Sequence, residues 1–324
     1  MNFSTVKNKM KKFSLLIFII ILIFSSCKPK DENVIRIGVL DGPTAISVIR
    51  LIDKPVQING KKLEIIVKSD PQQIQALMMR HELDFAVLPT VMAANLFNRG
   101  VDYRMLACPV WGTLYIVTNN KDIKSFEDLS GRTVAVFGQG ATPDVLLQRE
   151  INRKGILQVK YDYSHAGNHE VAQALMQKRA EIAVVSEPLV SMLLTKNRNM
   201  HIVERLECEE FIRNSDVDIF VQSAFVVSNN FIEQHSELIS EVSNAYALSC
   251  NFINEQPAEA ARMLVAKGMM PDEQTAQTAL PLCNIRYVSA FAIERETRRY
   301  LEIFHDFNPE TTGGKTNVRD FIYQ

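Results

Sequence analysis

Short apolar segments alternate with helical patterns along the chain, and this alternation predicts its fold. The segment Val34–Leu40 is apolar and rich in β-branched residues, which is typical of a strand buried in a parallel sheet. Residues 63–68 and 84–89 repeat this signature, and a helical pattern follows each of the three segments. Asp70 and Pro71 are placed to cap and begin one of these helices. The order of strands and helices indicates a parallel sheet with helices on its faces.

The same order returns in the middle of the chain. The strands predicted there are residues 133–137, 159–163, 181–186 and 201–205, and the helices are residues 143–154, 169–179 and 189–196. Two extended stretches, 105–117 and 219–228, lead into this half and back out of it. Helical patterns fill most of the chain from residue 230 onward.

Two α/β lobes joined by two extended crossings predict a hinged clamshell. We place lobe I at residues 34–115 plus 222–324 and lobe II at residues 116–221. Open α/β sheets bind ligands beyond the carboxyl ends of their strands, so two such edges that face each other would enclose a small molecule. Bending at the crossings would then open and close the cleft.

The first strand-to-helix turn of the predicted lobe II, residues 137–144, is a candidate ligand seat. Gly138 and Gly140 free the backbone for a tight turn. Thr142 is predicted to be the N-cap of a helix whose first residue is Pro143. The unpaired N–H groups and the positive dipole end of such a helix suit a carboxylate, sulfonate or phosphate.

Two acidic residues leave the sign of the ligand's charge open. Asp144 lies inside the first turn of the seat helix and already complements its dipole. Glu187 follows the predicted strand 181–186, where an acidic group would suit a ligand with an amine or a ring N–H. The alternative to a simple oxyanion is therefore the acidic or carbonyl end of a zwitterionic or heterocyclic solute.

The N-terminus has the layout of an export signal. Basic residues within positions 7–12 precede an apolar run, 13–24, that is too short to span a bilayer. The layout resembles a bacterial lipoprotein signal and predicts a signal peptide at 1–26 and a lipidated tether at 27–33 that begins at acylated Cys27. The alternative is an uncleaved N-terminal anchor. Either form would hold the protein at the cell envelope, lipid-anchored or membrane-anchored, facing the periplasm or the exterior.

Composition narrows the classes of function. The chain has 324 residues and a formal net charge of -1, which gives no support for nucleic-acid binding. Beyond Cys27 the cysteines are Cys108, Cys208, Cys250 and Cys283. Their spacing contains no metal or redox motif, so buried apolar roles are favoured, with a disulfide as the alternative.

No cofactor and no metal site are predicted. His165 and His169 are four residues apart, but the intervening residues predict that His165 ends a strand while His169 begins a helix. His169 is then a polar cleft contact or a helix-start residue.

Several segments together resemble a known family. They are DGPTA at 41–45, DFAVLPTVMAANL at 84–96, GTLYIVTN at 112–119, SFEDLSGRTVAVFGQGATPDVLL at 125–147, ALMQKRAEIAVVSEPLVSMLL at 174–194 and GGKTNVRDFIYQ at 313–324. In their order and spacing they resemble the substrate-binding proteins of ABC transporters, in the branch with sulfonate, taurine, nitrate and thiamine-pyrimidine-precursor binders. The resemblance implies a type II periplasmic-binding-protein fold. It also implies uptake of a small-molecule solute that is delivered to ABC permease and ATPase subunits, by a protein expected to be a monomer.

The resemblance assigns ligand binding to the loops of the expected cleft. The candidate ligand-binding residues are Thr44, Thr90, Trp111, Gly112, Gln139, Gly140, Ala141, Thr142, Asn168, His169, Glu187 and Phe225. Simpler roles stay open for four of them. Thr44 and Thr90 would then only cap helices, Trp111 would pack in the core, and Glu187 would cap the helix that follows it.

The sequence does not predict an enzyme. It contains no nucleophile elbow, P-loop or HExxH motif, and no Ser/His/Asp order typical of hydrolases. Because related folds also house enzymes, an exported enzyme on the same scaffold stays open as an alternative. A tethered ligand sensor is the other alternative.

Overall fold

The computed structural model describes residues 31–206 and 220–324. The predicted signal peptide, Cys27 and Cys208 lie outside these residues. The strands are β1 (Val34–Leu40), β2 (Gln57–Ile58), β3 (Lys61–Lys68), β4 (Phe85–Pro89), β5 (Tyr103–Val110), β6 (Leu114–Thr118), β7 (Thr133–Ala135), β8 (Lys160–Asp162), β9 (Ile182–Ser186), β10 (His201–Arg205), β11 (Ser223–Ser228) and β12 (Ile285–Ser289).

The strands form two sheets. One has seven strands in the order β12-β5-β11-β4-β1-β3-β2, and the other has five in the order β10-β6-β9-β7-β8. We call them the first and the second sheet. β1 pairs in parallel with β3 and β4, and β7 pairs in parallel with β8 and β9, as the strand–helix alternation predicts. The strands that follow the crossings are antiparallel: β6 to β9, and β11 to β4 and β5.

Helices cover the faces of both sheets. The α-helices are Pro43–Ser47, Ile49–Asp53, Pro71–Met79, Thr90–Asn98, Thr142–Arg153, Asn168–Met176, Leu189–Lys196, Asn229–His235, Ile239–Glu255, Pro257–Ala266, Glu273–Leu282 and Glu294–Phe307, with 3₁₀ turns at Phe126–Leu129, Ser236–Leu238, Ala290–Ile293 and Pro309–Thr312. Within the described ranges, no helix combines the length and the apolar character that a membrane span requires.

Successive side chains of a strand point to opposite faces of its sheet, so one strand contributes to two apolar clusters. In β4, Phe85 and Val87 face one apolar cluster, while Ala86 and Leu88 face another. The second of these clusters continues into the second sheet through Val184 and other residues of that sheet. One apolar cluster is therefore shared by the two sheets, and Val34–Gln324 pack as one compact unit.

Most predicted elements are present, with shifted ends. The helix Leu189–Lys196 agrees with the prediction at both ends. The predicted strand 219–228 was too long, since β11 begins at Ser223. The strand β12 was not predicted, because five residues between two helical patterns give too weak a signal on their own.

Candidate functional site

The loops at the carboxyl ends of β1 and β9 meet between the two sheets. His169 Nε2 lies 3.8 Å from Asp41 Oδ2, which joins the helix after β8 to the loop after β1. A Cβ atom at Gly42 would lie 3.9 Å from the backbone oxygen of Glu187. These contacts bring together loops that the sequence places about 130 to 145 residues apart. They outline the edge-to-edge cleft expected of two facing α/β sheets.

The two crossings between the sheets are hydrogen-bonded side by side. The backbone N–H of Thr113 donates to Gln222 Oε1 at 2.7 Å, and Gln222 Nε2 donates to Thr113 Oγ1 at 3.1 Å. Thr113 Oγ1 also lies 2.8 Å from Ser186 Oγ at the end of β9. The Gly112 oxygen accepts from Arg205 Nη2 at 2.9 Å. Gly112 is therefore held through its backbone, at the point where the two crossings are hydrogen-bonded.

The glycine-rich turn after β7 is tight, as its two glycines predict. Gly138 has φ of 67° and Gly140 has φ of 73°, in the left-handed region that favours glycine. The following helix begins at Thr142 with Ala141 as its N-cap, so the predicted cap at Thr142 is wrong by one residue. Ala141 has no hydroxyl to satisfy the first-turn N–H groups. Gln139 is exposed at the rim of this turn.

An internal carboxylate already occupies the predicted anion seat. Asp144 is 1% exposed and accepts from the Gly140 N–H at 2.8 Å. Its other oxygen accepts from Gln148 Nε2 at 2.7 Å and from the Tyr163 OH at 2.8 Å. A buried acid in the first turn complements the helix dipole from within the chain. The alternative that the sequence left open, a ligand other than a simple oxyanion, is therefore favoured at this turn.

The buried Thr90 hydroxyl lies at the carboxyl end of β4. Among the described residues, Thr90 Oγ1 makes no hydrogen bond of acceptable geometry. Thr90 is the first residue of its helix and Pro89 is the N-cap, so Thr90 does not act as the predicted helix cap.

Glu187 is fully buried at the end of β9. Its carboxylate accepts from the Ser191 Oγ at 3.0 Å and from the Ser191 N–H at 3.3 Å, so it caps the Leu189–Lys196 helix as the simpler role proposed. Burial raises the pKa of Glu187 to about 7, and the two bonds from Ser191 oppose this shift. The described hydrogen-bond donors to this buried acid both belong to Ser191, in the first turn of the helix that follows it.

Two other predicted residues, Thr44 and Asn168, hold the cleft loops through their own hydrogen bonds. The Thr44 hydroxyl donates to the Leu40 oxygen at 2.5 Å. The Asn168 side chain accepts from the Ser186 N–H at 2.9 Å and donates to the Ser186 oxygen at 3.3 Å. His169 differs from both, since its side chain is 66% exposed and its Nε2 lies 3.8 Å from Asp41 Oδ2.

Trp111 and Phe225 lie in the core. Trp111 is 1% exposed and donates from Nε1 to the Arg286 oxygen at 2.8 Å, so its packing role accounts for its position. Phe225 is fully buried and stacks on Phe85 at 5.4 Å between ring centroids. Neither ring presents an open face in this conformation.

A separate cavity of about 520 Å³ lies at the opposite edge of the second sheet. It opens where β7 and β9 diverge at their amino ends, and Arg132, Arg179 and Glu181 are among its lining residues. Arg132 Nη1 lies 3.5 Å from Glu181 Oε2, so the charges there are partly paired. None of the predicted ligand-binding residues lines this cavity.

The described cysteines and histidines show no metal-site geometry. Cys108, Cys250 and Cys283 are buried and free, in line with their predicted apolar roles. Burial raises the pKa of the Cys108 thiol to about 12, which keeps it protonated. In the part of the chain that the structure describes, no group of three or more His, Cys, Asp or Glu side chains could hold a metal ion.

Comparison with known proteins places this geometry in a family. The model of the NMT1/THI5-like family matches residues 57–260. No curated protein matches the chain. A solved structure of an ABC transporter from Parabacteroides distasonis is similar to it, with 29% identity and a TM-score of 0.79 over 90% of this chain and 99% of the other.

Two more distant structures have the same fold. The periplasmic aliphatic sulphonate binding protein SsuA from Escherichia coli has 16% identity and a TM-score of 0.69, covering 91% of this chain and 93% of its own. The alkanesulfonate-binding protein SsuA from Xanthomonas axonopodis, bound to MOPS, has 15% identity and a TM-score of 0.67, covering 91% and 99%. These likenesses confirm the predicted periplasmic-binding-protein fold. Because the family model covers more than half of the 324 residues, the chain belongs to the NMT1/THI5-like family.

Proposed function

We propose that the protein is the extracytoplasmic solute-binding component of an ABC importer. It captures one small organic solute between lobe I, residues 34–115 plus 222–324, and lobe II, residues 116–221. It then delivers the solute to the permease and ATPase subunits. The solved structures that resemble it carry the names of ABC-transporter and periplasmic binding proteins, which supports this role.

The observation that carries the proposal is the meeting of the carboxyl-end loops. Asp41 and His169 approach across the cleft, and Gly42 lies against the backbone of Glu187. Loops in this position bind the ligands of open α/β sheets. The hydrogen bonds between Thr113 and Gln222 hold the two crossings together at one point, which suits a hinge.

The predicted ligand-binding residues divide into two groups under this proposal. Thr90, Gly140, Thr142 and His169 face the cleft and contact the solute. The others shape it, through their backbones or by packing: Thr44, Trp111, Gly112, Gln139, Ala141, Asn168, Glu187 and Phe225.

Binding is tested on the purified mature protein. Native mass spectrometry detects a co-purified solute, and a thermal-shift screen detects added ones, because a ligand that binds the folded state raises the melting temperature. We expect one solute per chain. If neither a broad panel of sulfonates, nitrate, pyrimidines, amino acids and carboxylates nor whole-cell extract shifts the melting temperature, the proposal is wrong.

The position of the site is tested by substitution. Thr142→Lys inserts a long charged side chain at the cleft edge and is expected to abolish solute binding while the protein stays folded. Thr278→Lys makes the same chemical change on an exposed helix surface and is expected to bind normally. Normal binding by Thr142→Lys would show that the site lies elsewhere.

The lipid anchor is a separate part of the proposal. We infer that Cys27 becomes the acylated first residue after removal of residues 1–26, and that 27–33 tether the protein to the envelope. Cys27→Ala should remove the acyl mass from the mature chain and release the protein into the soluble fraction. Retention of the variant in the membrane fraction would favour an uncleaved anchor.

Catalysis on the same scaffold has a direct test. Incubation of the protein with its bound solute, followed by mass spectrometry of the small molecule, is expected to return it unchanged. A product that accumulates with time would assign an exported enzyme.

A further inference from the structure

The cavity of about 520 Å³ on the second sheet is formed by a gap between two strands. β7 and β9 are paired at Ala135 and Ala183. Thr133 begins β7 and Ile182 begins β9, ahead of this pair, and both residues line the cavity. A cavity of this volume is large enough for a small molecule, so the gap is a candidate binding site separate from the cleft.

The backbone of Thr133 supplies hydrogen-bonding groups to this gap. Alternate residues of a strand direct their N–H and C=O groups to opposite neighbouring strands. The Arg132 oxygen accepts from the Lys160 N–H at 2.8 Å, and the Val136 N–H donates to the Asp162 oxygen at 3.0 Å, so these residues face β8. Thr133 therefore faces β9, at a level where the pairing of β7 with β9 has not yet begun.

Two arginines lie at the mouth of the gap. Arg132 Nη1 is 3.5 Å from Glu181 Oε2, and the other oxygen of Glu181 accepts from Asn120 Nδ2. Arg179 Nε donates to Gln177 Oε1 at 2.8 Å, and in the described part of the chain its terminal amino groups make no hydrogen bond. A guanidinium has five N–H donors, so each arginine has donors left for a ligand.

The remaining acid of the cavity is hydrogen-bonded within its own turn. Asp162 Oδ1 accepts from the Ser164 N–H at 2.9 Å, and Asp162 Oδ2 lies 3.7 Å from His165 Nε2. Across residues 31–206 and 220–324, Arg179 is then the charged lining residue that makes no ion-pair contact. The charge that the cavity still has to balance is therefore positive, which favours an anion.

We propose that this cavity is a second binding site, which takes a small oxyanion, either a carboxylate or a phosphate. The guanidinium groups of Arg132 and Arg179 bind its oxygens, since a planar guanidinium matches the geometry of these groups, and the Thr133 N–H is a neutral donor beside them. The site goes beyond the proposed solute cleft, because it lies at the amino ends of β7 and β9 and not at their carboxyl ends. A bound oxyanion would join the segment before β7 to the segment before β9.

Binding is tested by titration of the purified mature protein with sodium phosphate and with succinate, while sodium chloride keeps the ionic strength constant. A ligand of the folded state raises the melting temperature, so at least one of the two oxyanions should raise it along a saturable curve. The oxyanion that responds distinguishes a phosphate site from a carboxylate site. Thr142→Lys, which changes the cleft, should keep this response. No saturable response to either oxyanion would overturn the site.

The residues are tested by Arg179→Gln and Arg132→Gln, each of which should weaken the affinity for the responding oxyanion at least tenfold. Arg179→Gln breaks no described ion pair, so the melting temperature without oxyanion should hold. Arg198→Gln is the matched control, since Arg198 is exposed ahead of β10 and does not line the cavity. It should bind the oxyanion normally.

Unchanged affinity in Arg179→Gln would overturn the site, because the oxyanion would then bind elsewhere. An equal loss in Arg198→Gln would also overturn it, since that result indicates unspecific attraction to surface charge. Solute binding in the cleft is expected to be the same in Arg179→Gln and the wild type. Failure of this second site therefore leaves the proposed function standing.

Discussion

Two buried carboxylates hold the cleft loops in different ways at the residue scale. Asp144 accepts from three donors on three parts of the chain, and it fixes the turn after β7. Among the described residues, Glu187 accepts only from Ser191 in the helix that follows it, and burial raises its pKa to about 7. The sequence could name both acids as cleft residues. It could not predict which carboxylate would accept hydrogen bonds from other parts of the chain. Tyr163 lies 19 residues from Asp144, and only the tertiary fold brings its hydroxyl to that carboxylate.

Asp144→Asn is expected to destabilise the fold. The amide keeps one acceptor oxygen but turns its NH₂ toward donors, so at least one buried partner loses its hydrogen bond. We expect a loss of about 2 kcal/mol in the free energy of unfolding, measured by urea denaturation. Asp306→Asn changes an exposed carboxylate in the same way and should cost less than about 0.5 kcal/mol. Equal effects of the two variants would show that the Asp144 network contributes nothing.

Glu187 makes stability depend on pH. Its pKa in the folded protein lies above its ordinary value of 4.5, so the folded state keeps a proton that the unfolded state releases. The stability associated with this group is therefore present below about pH 4.5 and is lost as pH rises toward 7. The loss amounts to about 3 kcal/mol, since one pKa unit corresponds to about 1.4 kcal/mol.

Glu187→Gln should remove this dependence. Glutamine keeps an oxygen for Ser191 and carries no charge, so the variant should match the wild type near pH 4.5 and exceed its stability at pH 8. Urea denaturation at the two pH values measures the difference, with exposed Glu170→Gln as the control expected to change neither. If Glu187→Gln and the wild type follow the same pH profile, the carboxylate is not buried in solution.

At the scale of elements, periodicity predicted the alternation of strands and helices well and predicted their ends poorly. Thr142 illustrates the limit, because the sequence TPD is compatible with a cap at either Ala141 or Thr142, and the position of Gly140 decides between them. Hydropathy periodicity does not predict short strands that are stabilised by pairing with neighbouring strands. β12 is one example, and the C-terminal tail is another, since Ile322 bridges Met105 of β5 without forming a strand of its own.

The tail is expected to contribute strongly to stability. Phe321 is 1% exposed and packs on Phe97 at 5.3 Å, while its backbone oxygen accepts from the Met105 N–H at 2.7 Å. Phe321→Ala would leave a cavity and should cost about 3 to 5 kcal/mol in urea denaturation. Phe291→Ala removes a ring that is 69% exposed and should cost about 1 kcal/mol or less. A small effect at Phe321 would mean that the tail is not docked in solution.

At the scale of the whole molecule, the two sheets are coupled through a shared core and a hydrogen-bonded hinge. The apolar cluster that includes Leu88 of the first sheet also includes Val184 of the second. Sequence patterns assign apolar residues to faces of single elements, so they could not show that one cluster crosses between the predicted lobes. Nor could they pair Thr113 with Gln222, which are 109 residues apart. Both features predict one cooperative unit.

This cooperativity can be followed through the single tryptophan. Trp111 is buried beside the hinge, so its fluorescence reports on the crossing, while far-UV circular dichroism reports on all helices. We expect the two urea transitions of the wild type to coincide. Gln222→Ala leaves the buried Thr113 N–H without its partner and should lower the free energy of unfolding by about 1 to 2 kcal/mol, which moves both midpoints to lower urea together with an unchanged m-value. Gln222→Glu keeps an acceptor for that N–H and should recover most of the loss. A fluorescence transition that precedes the circular dichroism transition in the wild type would show instead that the hinge opens independently and that the shared core does not join the sheets into one unit.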